Sequence, residues 1–317
     1  MVLVFRIHYI ETGDIVRILI GSLIILAVVS AALAWVVFYP PARDKALIGL
    51  SHLMAAPYRG DVRSHVYGPE PRHKLDVYPA APSAASADKP IILFYYGGGW
   101  RMGDKPFYYF VGAALAAQGY DVVIPEYRLY PQVQFAGFMA DAKRAYDWVW
   151  QEMAKESGRD IVVMGHSAGA HIAALLAYGE TYRPDDAPAP SAFVGLAGPY
   201  AFNPKEWPST QSIFADVANA DLARPVHFVD DASPPSLMFH GEKDDVVKLW
   251  NQEQLSEVLA QHGVTHQSVV LSDTGHYKIL FSFARPLLGQ MQVRAQIEDF
   301  LSASHSSGDW RSASKGN

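Results

Sequence analysis

Residues 161–178 read IVVMGHSAGAHIAALLAY, and this stretch decides the fold. Four apolar residues of strand length come first, the sequence GHSAG follows at 165–169, and an alanine-rich helical pattern comes last. A Gly-x-Ser-x-Gly sequence between a buried strand and a helix forms a sharp turn that exposes the serine hydroxyl at the edge of the sheet. Gly165 and Gly169 are required because only hydrogen side chains let strand and helix approach this closely. The motif alone recurs by chance, and this context makes Ser167 the candidate nucleophile.

Strand and helix patterns alternate on both sides of this turn. Apolar runs of strand length lie at 91–96, 121–125, 161–164, 192–196, 234–239 and 267–271, and helical patterns lie at 107–118, 135–156, 168–178, 249–261 and 281–301. A strand pair at 63–67 and 74–78, joined by a Gly-Pro turn, predicts a hairpin before them. Buried strands separated by helices predict an α/β domain with a mostly parallel sheet covered by helices on both faces.

Composition excludes several classes of protein. The 317 residues carry a formal net charge of −6 with scattered basic residues, so we expect no nucleic-acid partner. The absence of cysteine excludes disulfides, thiolate metal sites and a cysteine nucleophile. His52, His65, His73 and His227 show no metal-ligand spacing with one another, so we expect no metal site. The hydrolysis predicted below requires no cofactor, and we expect none. Composition leaves the oligomeric state undetermined.

The N-terminal region contains one long apolar segment. Residues 18–38 are 21 residues without a charge, which is enough to cross a hydrocarbon core as one helix. A buried core helix is the alternative, but the segment has no polar face and ends at Pro40-Pro41. We therefore predict a transmembrane helix within a tail-and-anchor region, residues 1–41.

The same segment also has features of a cleavable signal peptide. Ala32-Leu33-Ala34 has the small-x-small pattern of a cleavage site, although the apolar run continues to Phe38. We predict an uncleaved signal anchor that leaves a single-pass membrane protein with an extracytoplasmic catalytic domain; secretion after cleavage is the alternative. Basic residues are balanced across the segment and do not decide its orientation.

A hydroxyl nucleophile needs a base, a carboxylate that orients the base, and donors for the oxyanion. The Gly-rich loop Gly97–Trp100 follows a predicted strand and can turn backbone N–H groups towards a reacting carbonyl, and the N–H of Ala168 is a further donor. For the acid, Asp244 and Asp245 both follow the strand ending near Gly241. For the base, His276 has the right place in the order Ser, Asp, His. His166, His171 and His240 are predicted to be structural.

Several motifs together point to a known family. They are YGPEPRHKLDVYPA (67–80), YYGGGWRMGDK (95–105), PEYRLYP (125–131), GHSAGAH (165–171), HGEKDDVV (240–247) and DTGHY (273–277). The chain resembles the α/β-hydrolase esterases related to hormone-sensitive lipase, and more closely their bacterial carboxylesterase, kynurenine-formamidase-like and isoprenylcysteine-methylesterase-like relatives. The resemblance implies an α/β-hydrolase fold over roughly residues 60–303. It also selects Asp244 as the acid and Gly98 and Gly99 as oxyanion donors.

One residue departs from the pattern. Tyr96 stands where these enzymes usually carry a histidine before the three glycines, so the oxyanion loop must be stiffened by other hydrogen bonds. The methylesterase-like relatives also lack that histidine.

The resemblance further implies a small cap insertion at about residues 198–234, where five aromatic residues are too many for a solvated loop.

We expect a catalytic domain at 42–303, with a disordered tail at 304–317. The predicted activity is cleavage of small to medium carboxylic esters through an acyl-enzyme on Ser167. Amide or formamide hydrolysis is the first alternative, and a non-catalytic binding module on the same fold is the second.

Overall fold

The computed structural model of the protein describes residues 40–55, 57–58, 60–81, 88–284 and 291–306. The chain divides into two units, Met1–Leu50 and Ser51–Asn317, and all the predicted site residues belong to the second. Helix α1, Pro40–Met54, crosses this division. The predicted membrane helix at 18–38 lies outside the described residues. No helix in the described part of the chain is long and apolar enough to cross a membrane.

The second unit is built on one sheet of eight strands. The strands are β1 (Arg63–Val66), β2 (Lys74–Tyr78), β3 (Ile91–Tyr95), β4 (Val122–Pro125), β5 (Ile161–His166), β6 (Ala192–Leu196), β7 (Ser236–Gly241) and β8 (His266–Leu271). Their spatial order is β1-β2-β4-β3-β5-β6-β7-β8. The pairs β1–β2 and β2–β4 are antiparallel, and all other pairs are parallel. The mostly parallel sheet and the N-terminal hairpin are as predicted.

Helices cover the sheet. They are α2 (Tyr109–Ala117), α3 (Phe135–Val149), α4 (Ala168–Tyr178), α5 (Trp250–Gln261) and α6 (Met291–Ser306), with short 3₁₀ turns at Lys105–Tyr108, Glu180–Tyr182, Ala220–Ala223, Pro225–Phe228 and Lys278–Phe283. Every residue of β3 to β7 and of α4 is buried. Strands without an exposed face must be covered on both sides. The observed architecture is the predicted α/β-hydrolase fold.

The long helix predicted at 135–156 is regular only to Val149. A π-helical turn follows at Trp150–Ala154, and the N–H of Lys155 donates to the carbonyl of Trp150, five residues earlier. Val149 and Ala154 are both fully buried. Residues five apart face the same side of a helix when the turn is widened in this way. The π turn therefore lets both Val149 and Ala154 pack in the core, which a regular α-helix would not allow.

The C-terminal helix also differs from its predicted bounds. Of the segment predicted at 281–301, the described residues form the end of the 3₁₀ turn Lys278–Phe283 and helix α6, which begins at Met291 and continues to Ser306; residues 285–290 lie outside the described part. The helix therefore extends three residues into the segment predicted to be disordered. Phe300 and Leu301 are buried near its end, and the Ser304 hydroxyl donates to the Phe300 carbonyl. Residues 307–317 lie outside the described part.

Candidate active site

Ser167 occupies a strained turn between β5 and α4. Its backbone has φ 54° and ψ −124°, a conformation that residues with a side chain rarely adopt. A Cβ atom on Gly165 would lie 2.3 Å from the carbonyl oxygen of Gly169, and one on Gly169 would lie 2.0 Å from that of Tyr95. These contacts explain both glycines of the motif, because any side chain would force the strand and helix apart.

The three predicted triad side chains form one hydrogen-bonded chain. Ser167 Oγ lies 2.8 Å from His276 Nε2, and His276 Nδ1 lies 2.7 Å from Asp244 Oδ2. All three residues are less than a tenth exposed. In the tautomer that fits this order, Nδ1–H donates to the carboxylate and Nε2 accepts the serine proton.

Asp244 is held in place by its other oxygen. Oδ1 accepts hydrogen bonds from the backbone N–H groups of Val246 (2.9 Å) and Val247 (2.8 Å). Burial raises the pKa of Asp244, but the hydrogen bonds from His276 and Val247 and the electrostatic attraction of His276 and His240 together lower it more, so the net pKa lies below its ordinary value. Asp245 is exposed, and the contact it makes with the described residues is a hydrogen bond from Lys248 Nζ to its backbone carbonyl. Of the two aspartates left open by the spacing, the structure brings Asp244 to the histidine.

The Gly-rich loop follows β3 at the same edge of the sheet. Gly98, Gly99 and Trp100 all have positive φ, and the carbonyl of Gly98 accepts hydrogen bonds from the two N–H groups that close the loop. Within the described residues, the N–H groups of Gly98 and Gly99 have no hydrogen-bond partner. Gly99 and Ala168 line the same cavity as Ser167. Free N–H groups beside a nucleophile are the donors that a tetrahedral oxyanion needs.

Three further buried histidines donate hydrogen bonds to backbone carbonyls around the site. His166 Nε2 donates to the backbone carbonyl of His276 (3.0 Å), and His240 Nε2 donates to that of Val247 (2.8 Å). His171 donates to the carbonyl of Ala223. Burial lowers the pKa of His166 to about 3 and that of His171 to about 4, so both are neutral donors. These contacts fit the predicted structural roles, but the sequence did not show that His166 binds the backbone of His276 or that His240 binds the backbone beside Asp244.

An apolar cavity of about 270 Å³ opens at Ser167. The segment predicted as a cap contributes much of its wall, with Pro199, Phe202, Trp207, Thr210 and Ile213. Phe202 is buried and Trp207 is half exposed. Trp100 also lines the cavity, as do five residues that follow the acid, Val246, Val247, Lys248, Trp250 and Asn251. The site is therefore a largely apolar pocket lined by a few polar groups, among them Ser167, as is usual for small-molecule sites.

The sheet topology, together with a buried serine, histidine and aspartate in hydrogen-bonded series, defines an α/β-hydrolase fold with a candidate catalytic triad. A model of the prolyl oligopeptidase family matches residues 136–306, more than half of the chain, and the chain belongs to this family. A second family model, described as BD-FAE, matches residues 75–192. The resemblance drawn from the motifs is confirmed.

Individual proteins with similar sequences or structures carry esterase names. The chain is 27% identical over 270 residues to a probable isoprenylcysteine α-carbonyl methylesterase of rice (Oryza sativa subsp. japonica), covering 77% of this chain and 64% of that protein. It is 27% identical over 285 residues to the esterase LipQ of Mycobacterium tuberculosis, covering 82% and 67%. The chain thus spans less than two thirds of the rice protein. The crystal structure of esterase B from Lactobacillus rhamnosis has the same fold, with a TM-score of 0.69, 21% identity, and coverage of 89% and 99%.

Proposed function

We propose that the protein hydrolyses carboxylic esters through an acyl-enzyme on Ser167. The observation that carries the proposal is the continuous series of hydrogen bonds from Asp244 through His276 to Ser167, which lines an apolar cavity. The Ser167 oxygen attacks the ester carbonyl while His276 Nε2 takes its proton, and Asp244 stabilises the resulting imidazolium.

Backbone donors complete the first half of the reaction. The N–H groups of Gly98, Gly99 and Ala168 bind the oxyanion of the tetrahedral intermediate. When the intermediate collapses, the bond to the alcohol oxygen breaks and His276 gives its proton to the leaving alcohol. Water then attacks the acyl-enzyme with His276 as base, and the acid leaves as Ser167 recovers its proton.

The cavity favours small to medium apolar groups. Its volume of about 270 Å³ and its walls of Trp100, Phe202, Ile213 and Trp250 suit a short acyl chain, an aryl group or a small alcohol. The names of the similar proteins, a methylesterase and an esterase, agree with an ester as substrate.

The test is a substrate panel on the purified full-length protein. Acyl esters of graded chain length and one aryl formamide are compared at equal concentration, with the Ser167→Ala variant as control. We expect saturable hydrolysis of short and medium esters that disappears in the variant. Faster cleavage of the formamide would replace ester by formamide hydrolysis as the activity, and no turnover of any substrate would favour a binding module.

We further propose that residues 1–41 tether the domain to a membrane through the helix at 18–38. The 21 uncharged residues support this proposal. The domain bounds proposed with it are 42–303 for the catalytic domain, with a cap at 198–234.

A further inference from the structure

Tyr96, the residue directly before the Gly-rich loop, is fully buried. Its ring lies between those of Tyr108 and Tyr127, with centroids 5.4 Å and 4.9 Å away and near-parallel planes. Its carbonyl accepts a hydrogen bond from the Tyr127 hydroxyl (2.8 Å), and its own hydroxyl accepts one from Arg72 Nη2 (2.8 Å). A residue fixed at both ends in this way fixes the chain that leaves it.

Arg72 reaches this tyrosine from the turn that precedes β2. The same Nη2 atom donates to the carbonyl of Gly103 (2.9 Å), and Nε donates to the carbonyl of Tyr127 (2.8 Å). Tyr96 stands immediately before the three glycines, and Gly103 lies at the far end of the loop. One guanidinium therefore ties together the two ends of the segment that contains Gly98 and Gly99. A lysine ammonium has no planar array of donors with which to bridge these acceptors.

The alternative is that Arg72 only neutralises buried charge. The carboxyl groups of Glu126 and Asp104 are hydrogen-bonded to each other and act on Arg72 electrostatically. Lys105 lies near the same cluster, and it forms an ion pair with Asp76 (2.6 Å). The three hydrogen bonds from Arg72 to Tyr96, Gly103 and Tyr127, however, go to neutral acceptors in or beside the loop rather than to a carboxylate. The contacts favour a geometric role.

We propose that Arg72 is a positioning residue for the oxyanion donors, acting through Tyr96 and Gly103. Tyr96 stands where the resemblance leads one to expect a histidine, and Arg72 supplies the hydrogen bonds that then hold the loop. The guanidinium fixes both ends of the loop, and the N–H groups of Gly98 and Gly99 are thereby directed at the position where negative charge develops. The inference rests on the proposed ester hydrolysis, since the loop has this role only in acyl transfer.

The test compares two neighbouring buried tyrosines of β3 and its extension. Tyr96→Phe removes only the hydroxyl that Arg72 binds. Tyr95→Phe is the matched control, because it removes an equally buried hydroxyl whose partner is the Ala142 carbonyl (2.9 Å), away from the loop. Arg72→Met removes all three of these guanidinium hydrogen bonds, and the double variant completes a mutant cycle.

Misplaced donors weaken binding of the transition state and leave binding of the ground state intact. We expect Tyr96→Phe to lower kcat roughly tenfold and Arg72→Met on the order of a hundredfold, with KM within about twofold of wild type. The inhibition constant of a trifluoromethyl ketone, which forms a tetrahedral adduct with the serine, should rise by a similar factor. Tyr95→Phe should keep the wild-type kcat, and the double variant should be less impaired than the product of the two single effects.

Wild-type kcat in Tyr96→Phe, an equal loss in Tyr95→Phe, or a change confined to KM would overturn the proposal. If Arg72→Met does not fold, the comparison of the two tyrosine variants still decides. Failure of this inference is distinct from failure of the proposed function, because Ser167→Ala tests the latter alone.

Discussion

At the scale of single residues, Asp244 shows how a buried carboxylate is kept charged and oriented. Its two oxygens bind different partners, since Oδ1 accepts from two backbone N–H groups and Oδ2 accepts from the histidine. An unpaired buried charge would cost several kcal/mol, and three charge-assisted hydrogen bonds offset that cost. Asp245, one residue later, has no such surroundings.

The neighbouring aspartates provide a prediction with an internal control. Asp244→Asn should lower kcat by about 10⁴-fold, because an amide cannot hold the histidine in the required tautomer or stabilise its cation. Asp245→Asn should change kcat less than about threefold, since that side chain is exposed and lies outside the site. Steady-state kinetics and thermal unfolding of both variants supply the measurement. A larger loss in Asp245→Asn at unchanged stability would show that the acid is misassigned.

Ser167→Ala and His276→Ala define the rest of the triad. Each should reduce hydrolysis to background while thermal unfolding stays close to wild type, because each removes a reacting group at the cavity end of the fold. A fluorophosphonate that reacts with serine nucleophiles should label the wild type at Ser167 alone, as read by peptide mass spectrometry. Labelling at another serine in an active sample would contradict the mechanism.

Glu126, in the buried cluster beside Arg72, has an unusual protonation state. Burial and the hydrogen bond and repulsion from Asp104 raise its pKa from 4.5 to about 8, against the opposing effect of Arg72 and Lys105. Between these values the folded protein holds a proton that the unfolded chain has lost. Protonated Glu126 therefore makes its full contribution to the free energy of unfolding below about pH 4.5, and this contribution is lost as the pH rises towards 8.

Glu126→Gln keeps a neutral group of the same shape at every pH. Its free energy of unfolding should equal that of wild type at about pH 4.5 and exceed it increasingly up to about pH 8. Urea unfolding of both proteins across this range measures the difference, and Glu152→Gln on the surface serves as control. A constant difference, or one of opposite slope, would show that Glu126 is ionised in the folded protein.

Motifs pointed to the proposed triad, whose side chains the structure brings together, but not to the residues that contact the oxyanion loop. Ser167, Asp244 and His276 each follow a strand and so could be placed at one edge of the sheet from the sequence. Arg72 could not be linked to the loop in this way, because its partners at Tyr96, Gly103 and Tyr127 are distant in sequence and meet only in the fold. The sequence did carry one signal of such a contact. Tyr96 stands where a histidine is expected, so other hydrogen bonds had to stiffen the loop.

At the scale of elements, the strand-turn-helix unit of β5 and α4 is the most constrained part of the fold. Gly165→Ala places a methyl group 2.3 Å from backbone, where no side-chain movement relieves the clash. We expect a loss of about 1–3 kcal/mol in the free energy of unfolding, together with a fall in kcat as Ser167 moves. Gly49→Ala, at an exposed helical position with open space around the new Cβ, should instead stabilise the protein by about 0.5–1 kcal/mol.

Denaturant unfolding measures both alanine variants. Equal effects at the two positions would contradict the packing argument for the motif glycine.

Element type was more predictable than element ends. The predicted bounds 168–178 and 192–196 are those of α4 and β6, because an abrupt change of pattern ends both segments. The π turn after Val149 was not predictable, since it depends on which side chains the core accepts rather than on helix propensity. The antiparallel pairing of β2 with β4 likewise depends on contacts between segments far apart in the sequence.

At the scale of the whole molecule, the site is assembled where parallel strands end together. The proposed oxyanion loop follows β3, the proposed nucleophile Ser167 follows β5, the proposed acid Asp244 follows β7 and the proposed base His276 follows β8. The carboxyl ends of parallel strands share one edge, so four segments spread over 180 residues of chain converge without any long-range motif. The alternation of strand and helix patterns in the sequence predicts that these segments share one edge of the sheet. The strand order, which sets the distances between the segments, is seen only in the structure.

The remaining prediction concerns where the catalytic domain stands. We expect it on the extracytoplasmic side of a membrane, tethered by residues 18–38. Arg17 abuts the apolar run after a short N-terminal region, a pattern shared by signal peptides and signal anchors, and either would export the domain. Arg43 and Lys45 balance Arg6 and Arg17, but long translocated domains respond weakly to such charges. Protease added to spheroplasts should remove the domain while a cytoplasmic marker survives. Cleavage only after the membrane is broken would reverse the orientation, and an untethered domain that appears in the medium would indicate cleavage near Ala34.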